Sequence, residues 1–128
     1  MDADLKEAIS LQVICDGTAV FESRKHWLHP LFDLADFLKS NPVDMQRAEL
    51  RDKIIGLGAA LLILRVGVGR VHGDLMSELA VDVFKGAGIP HSFDRSVERI
   101  DCQTESILQG IHDPDVAYTI LCRRAKRC

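Results

Sequence analysis

Aromatic side chains are scarce in this chain of 128 residues, with one Trp, one Tyr and five Phe, so its interior must be built from Leu, Ile, Val and Ala. An excess of basic residues is also missing. Sixteen Lys and Arg stand against nineteen Asp and Glu, for a formal net charge of -3. That balance argues against a broad phosphate-binding surface, and nucleic acid is not an expected partner. The longest uncharged run, Ile54 to Leu64, falls well short of the roughly 20 residues that cross a bilayer, so no membrane partner is expected. Met1-Asp2-Ala3-Asp4-Leu5-Lys6-Glu7 has no apolar stretch of the secretory type. The expectation is therefore a cytoplasmic protein whose Cys15, Cys102, Cys122 and Cys128 are reduced thiols. No two of these cysteines show Cys-x-x-Cys spacing, and a structural zinc site has no support.

What is present suits one globular domain spanning residues 1–128. The hydrophobic fraction is 47% and the charged fraction 27%, which excludes wholesale disorder. Asp4 to Ser10 can form a short opening helix. Leu11-Gln12-Val13-Ile14-Cys15 and Thr18-Ala19-Val20-Phe21-Glu22 flank Asp16-Gly17, a strong hairpin signal because a type I′ turn needs positive φ at both central residues. Pro30 opens a helix with Leu31, Leu34, Ala35 and Leu38 on one face, ending before Asn41-Pro42.

Residues 48 to 66 read as the longest helix, apolar around most of its circumference and hence buried on several sides. Within it, Gly56 and Gly58 suggest close packing against a sheet, with close approach of a ligand as the alternative. Gly69 to Asp74 carries a strand and Met76 to Ala87 a helix with Gly88 at its C-cap. Ile89 to Phe93 follows as a short strand that Pro90 marks as an edge. Two helices close the chain, one near Thr104 to Gly110 and one opening at Asp113-Pro114. The basic cluster Arg123-Arg124-Ala125-Lys126-Arg127 reads as a solvated helix end, with a binding tail as the alternative. A hairpin followed by strand–helix–strand units predicts an α/β fold with a mixed sheet.

Several segments resemble a known family. Val13 to Ser23, Pro30-Leu31, Asp52-Lys53-Ile54-Ile55-Gly56 with Ala59-Ala60-Leu61-Leu62, and Ser77-Glu78-Leu79-Ala80 are similar to the family catalogued as domain of unknown function 1893. The resemblance covers about residues 11 to 105 and leaves 106–128 as a helical C-terminal extension. The Cys-Pro-Met-Glu motif of that family stands here as Cys102-Gln103-Thr104-Glu105. The resemblance implies a cytidine deaminase-like fold, a three-layer α/β/α arrangement with a mixed central sheet starting from the hairpin. It also implies that the helices opening at Asp52 and Ser77 lie side by side toward one pocket.

Zinc deaminases hold their metal with His-x-Glu at one helix start and Pro-Cys-x-x-Cys at the next. No His lies near Asp52 and no Cys near Ser77, so neither a zinc-dependent deaminase nor any other cofactor is expected. Asp74, His72, Glu78 and Cys102 are ligand-type residues, yet His72 in a strand reads as structural and the expected metal complement is none. His26 and His29 have ligand-like spacing but no third partner, and read as loop packing.

The expectation is a pocket-bearing, zinc-free protein that binds a small polar or anionic ligand, nucleotide-like by fold analogy. Asp52, Lys53, Ser77, Glu78, Cys102 and Glu105 would line the site. Ser77 is foremost a helix N-cap, and Lys53 is unexpected in a first helical turn, where the dipole disfavours a cation. If there is catalysis, Lys53 or Cys102 would be the reacting group, with Glu105 or Glu78 moving protons. The rival reading is a non-catalytic, homo-oligomeric interaction protein.

Overall fold

A computed structural model describes residues 9–128; the opening helix expected at Asp4 to Ser10 lies largely outside them. Strands β1 (Leu11–Cys15) and β2 (Thr18–Ser23) pair antiparallel. Asp16 and Gly17 both take positive φ, 52° and 79°, as the Asp-Gly turn requires. Helix α1 (His29–Ser40) begins with Pro30 in its first turn and is closed by Asn41, whose side chain donates to the Phe37 carbonyl at 2.9 Å. After a 3-10 turn at Met45–Arg47 come β3 (Ala48–Ile55), α2 (Leu57–Val66), β4 (Arg70–Ser77), α3 (Glu78–Ala87), β5 (His91–Val97), α4 (Cys102–Ile107) and α5 (Pro114–Arg124). The sheet runs β2-β1-β3-β4-β5, antiparallel in the hairpin and across β1 and β3, parallel from β3 to β5.

The long helix expected over 48 to 66 is instead a strand followed by a helix. Ala48 and Leu50 are buried while Glu49 is half-buried and Arg51 exposed. That is a period of two, and it gives way to helical burial only after Gly56. The sequence disguises the change because Ile54 and Ile55 run directly into the apolar helix. In α2, the run Gly58 to Ile63 is buried throughout, as an all-round apolar helix should be. Asp52 and Lys53 are therefore strand residues, and the misfit of Lys53 with a helix dipole disappears. β4 likewise runs to Ser77, three residues beyond the expected Asp74.

The β3-α2-β4 and β4-α3-β5 crossovers progress in the same direction along the sheet, and α2 packs against α3, so both helices lie on one face. Phe21 of β2 meets Phe37 of α1 at 5.2 Å on that face, and Tyr118 of α5 meets Phe32 of α1 at 5.7 Å. The core thus lies between one sheet face and the helices, with Leu11, Val13, Leu50, Ile55, Val71 and Met76 fully buried beneath α2 and α3. On the opposite face Arg51, Asp74 and Asp94 are exposed, and Gln12 and His72 half-buried. The described residues therefore form two layers, where three had been expected. Among the described residues no helix is long and apolar enough to cross a membrane.

The end of the chain departs from expectation. Cys122 and Cys128 are joined as a disulfide with Cα atoms 5.7 Å apart, and only Cys15 and Cys102 are free thiols. The cause is local: Lys126 adopts φ 58°, turning the chain back so that the Arg127 N–H donates to the Cys122 carbonyl. The basic tail is not wholly solvated either. Arg127 is half-buried and donates to Asp33 at 2.6 Å and Asp36 at 3.3 Å on α1.

Candidate functional site

The end of β3 and the start of α2 form one wall of a cavity of about 300 Å³. Ser10, the segment Lys25-His26-Trp27-Leu28 and Pro30 also line it, and Ile100, Asp101, Thr104 and Glu105 complete the lining. The cavity thus lies outside the carboxyl end of a central strand, where open α/β sheets habitually bind ligands. Its lining is mostly apolar with a few polar groups, the composition of a small-molecule site.

Three of the six residues expected there, Asp52, Lys53 and Glu105, line this cavity. The other three do not. Ser77 is fully buried, its hydroxyl accepting the Ala80 N–H at 3.1 Å as an N-cap. Glu78 and Cys102 are exposed on the first turns of α3 and α4. The two neighbouring helix openings do exist, but they stand at Gly56 and Ser77, next to the paired Ile55 and Met76.

No side chain caps α1 or α2, whereas Ser77, Asp101 and Asp113 cap α3, α4 and α5. The first turn of a helix carries N–H groups without intrahelical partners, and here Leu57, Gly58 and Ala59 line the cavity. The two glycines serve packing, though not against the sheet: Gly58 lies against α4 and α5, and Gly56 against the segment that precedes α4. A Cβ on Gly58 would come within 3.0 Å of Thr104 Cγ2 and 3.5 Å of Leu121, and one on Gly56 within 3.4 Å of Ile100.

Asp52 is half-buried, and its carboxylate accepts the Ile54 N–H at 3.4 Å. Burial pushes its pKa from 3.8 to about 7, outweighing the Ile54 and Lys53 N–H donors, and the negative charge of Asp74 adds to the rise. A carboxyl that exchanges its proton near neutrality can act as general acid or base. The expected catalytic candidates did not include it, because in a helix opening Asp52 reads as an ordinary first-turn carboxylate.

Glu105 has both oxygens engaged by its own chain, Oε2 by Arg99 Nε at 2.8 Å and Oε1 by the Ile100 N–H at 2.9 Å. With its side chain 1% exposed, it holds the segment that walls the cavity. Asp101, at φ 53°, completes this clasp by accepting from Thr104 Oγ1 at 2.6 Å and Trp27 Nε1 at 3.1 Å. Burial raises the Asp101 pKa, but these donors more than offset it and the net shift is downward. Replacing Glu105 with Gln turns an N–H donor toward Arg99. The expected loss is about 2 kcal/mol, the scale of a charge-assisted hydrogen bond. Faster amide exchange over residues 99–108 would register it.

Trp27 and His26 were missed as site residues. Trp27, at φ 57° and 40% exposed, stands at the cavity with its indole tied to Asp101. An exposed aromatic in a polar loop was the available signal. His29, read with His26 as loop packing, instead starts α1 and has its Nδ1 3.4 Å from Arg127.

These features define an α/β domain on a mixed five-stranded sheet, with a ligand-sized cavity at the carboxyl end of its central strand. The chain belongs to the family described as domain of unknown function DUF1893, whose model matches residues 3–122. The match reaches past the 11–105 segment where the resemblance was first visible, into α5. The crystal structure of a DUF1893 family protein (TM1506) from Thermotoga maritima has the same fold, with a TM-score of 0.82 and 21% identity over 96% of this chain and 85% of that one. No curated protein is detectably similar in sequence.

Proposed function

We propose that this protein binds a small polar or anionic molecule in the cavity between the end of β3, the Lys25–Leu28 segment and α4. The observation that carries the reading is the uncapped opening of α2 inside that cavity. Free N–H groups and the positive end of a helix dipole suit an anionic group. Lys25 and Lys53 add positive charge to the same lining, and Trp27 offers a flat apolar surface to a planar part of the ligand.

A zinc-free variant of the cytidine deaminase-like arrangement fits this description. The two helix openings that would carry zinc ligands read Gly56-Leu57-Gly58 and Ser77-Glu78-Leu79-Ala80 here, with neither His nor Cys. Nucleotide-like ligands follow from that analogy, which is a weaker warrant than the cavity itself. If the cavity is catalytic, Asp52 is the group placed to move a proton, with Lys53 beside it. The homo-oligomeric reading draws on β5, an exposed edge strand with Phe93 42% exposed. Asp94 and Arg95 beside Phe93 supply the charges that keep edges apart, and the cavity is the better supported reading.

The test is a titration with nucleoside 5′-monophosphates, followed by amide chemical shifts. Saturable shifts at Leu57, Gly58 and Ala59 are expected, with affinity reduced at least tenfold in Trp27→Ala, a loss of about 1.4 kcal/mol or more. Unmoved α2 amides at millimolar nucleotide and at millimolar inorganic phosphate would dismiss the anion site.

A further inference from the structure

The polar face of the sheet, away from the cavity, carries a second constellation. β4 reads His72-Gly73-Asp74 and β5 reads Ser92-Phe93-Asp94. The strands are parallel with His72 opposite Ser92. Side chains two apart share a face, so the same register sets Asp74 opposite Asp94. His72 Nε2 lies 3.4 Å from Asp94 Oδ1 and 3.8 Å from Asp74 Oδ1. One ligand-type atom from each residue falls within 4.8 Å of the others.

We propose that His72, Asp74 and Asp94 bind a divalent first-row transition-metal ion, of the Zn²⁺ or Co²⁺ type, with a coordination position left open. Three observations point there. First, metal–ligand bonds of 2.0–2.2 Å set ligand atoms about 3.4 Å apart at a tetrahedral ion. The His72–Asp94 separation already has that length, and the His72–Asp74 separation exceeds it by less than half an ångström.

Second, the imidazole is held by its other nitrogen. Nδ1 is 2.8 Å from Ser92 Oγ, and the side chain is only 13% exposed. With the hydrogen on Nδ1 donated to Ser92, the Nε2 lone pair faces the two carboxylates, as metal-ligating histidines are oriented by an outer partner.

Third, two carboxylates directly opposite on neighbouring strands repel each other. Among the described residues their ion-pair contacts run to His72 alone, with no Lys or Arg. A dication between them converts that repulsion into binding. The side chains of Asp74 and Asp94 are 60% and 69% exposed, so the site is accessible to an ion and water can fill the remaining position. One imidazole with two carboxylates and no sulfur favours Zn²⁺, Co²⁺ or Mn²⁺ over Cu(I), and the imidazole disfavours Ca²⁺ and Mg²⁺. Of the residues first weighed as ligands, His72 and Asp74 belong to this site; Glu78 and Cys102 do not.

The experiment titrates the chelator-treated full chain with Co²⁺, read by visible d–d absorption and calorimetry. A saturable one-to-one complex that Zn²⁺ displaces is expected. Asp94→Asn, an exposed edge-strand change that keeps the fold, should weaken it at least tenfold, and Ser92→Ala should weaken it by a smaller factor. Circular dichroism of each variant separates lost binding from lost fold. No absorption up to millimolar Co²⁺ overturns the site and leaves His72 as a plain hydrogen-bonded residue. So does a complex unchanged by Asp94→Asn, or one with a thiolate charge-transfer band, which would assign the ion to Cys15 or Cys102.

Discussion

Replacing Asp52 with Asn is expected to stabilise this protein above pH 7 and to leave it unchanged near pH 3. In the folded chain the Asp52 carboxyl titrates at about 7, against 3.8 as its ordinary value. Below the lower value both folded and unfolded chains carry the proton, and the residue contributes no pH dependence. Between the two values the unfolded chain gives up its proton while the folded chain keeps it. The unfolded state then binds fewer protons, and stability falls as pH rises. Above pH 7 the folded chain holds a desolvated carboxylate and the loss is complete. The rise from 3.8 to about 7 corresponds to roughly 4 kcal/mol, an upper figure because water reaches a half-buried group.

Asn keeps an acceptor for the Ile54 N–H and carries no charge. Urea unfolding of both proteins at pH 4, 6 and 8 should show curves that separate progressively with pH. Parallel wild-type and variant stabilities across that range would mean that Asp52 is solvated and not poised to exchange a proton. The same measurement bears on the cavity, since a carboxyl stabilised by Asn substitution is one retained at a cost to the fold.

The hairpin was legible because its signal is local: Asp16-Gly17 fixes two backbone conformations, and the flanking runs are rich in β-forming residues. α1 was legible for the same reason, with Pro30 and Asn41 marking its ends. β3 was not. Its defining partners are β1 and β4, strands distant in sequence, and the residues of its second half, Asp52-Lys53-Ile54-Ile55, lead without a polar break into α2. An exposed Ile54 beside a fully buried Ile55 is set by tertiary contacts and has no mark in the sequence.

The site divides along the same line. Asp52 and Lys53 were found through a family motif, although the element assigned to them was a helix. Glu105 was found with them, but not its bonds to Arg99 and Ile100, which depend on how the 99–105 segment folds back. His72 and Asp74 were noticed as ligand types. Their partner Asp94 was invisible until β4 and β5 were set in register, because no spacing rule within one strand points to a residue on the next.

Gly69→Ala is expected to be the most damaging small substitution in the chain, costing about 3 kcal/mol or more, the upper end for overpacking a filled site. The reason is a backbone crossing. The Gly69 N–H donates to the Met45 carbonyl at 2.9 Å and the Ala48 carbonyl at 3.2 Å, so the 3-10 turn that leads into β3 lies directly over the residue that leads into β4. A methyl group on Gly69 would stand inside the contact distance of the Gln46 carbonyl oxygen and 2.9 Å from its carbon. Main chain cannot swing aside as a side chain can, and separating the two segments breaks both hydrogen bonds and shifts the start of two central strands.

Gly67→Ala, two residues earlier, provides the contrast. Gly67 adopts φ 78° as the C-cap of α2, and its nearest neighbour there is the end of the Gln46 side chain at 3.6 Å. That change meets left-handed strain but little crowding, for roughly 1 kcal/mol. Urea midpoints at constant slope for the two variants should therefore fall in the order wild type, Gly67→Ala, Gly69→Ala. The reverse order would mean that the Met45–Arg47 turn does not cross Gly69 closely. It would also mean that β3 and β4 are not positioned by that crossing, the arrangement on which both the cavity and the His72 constellation depend.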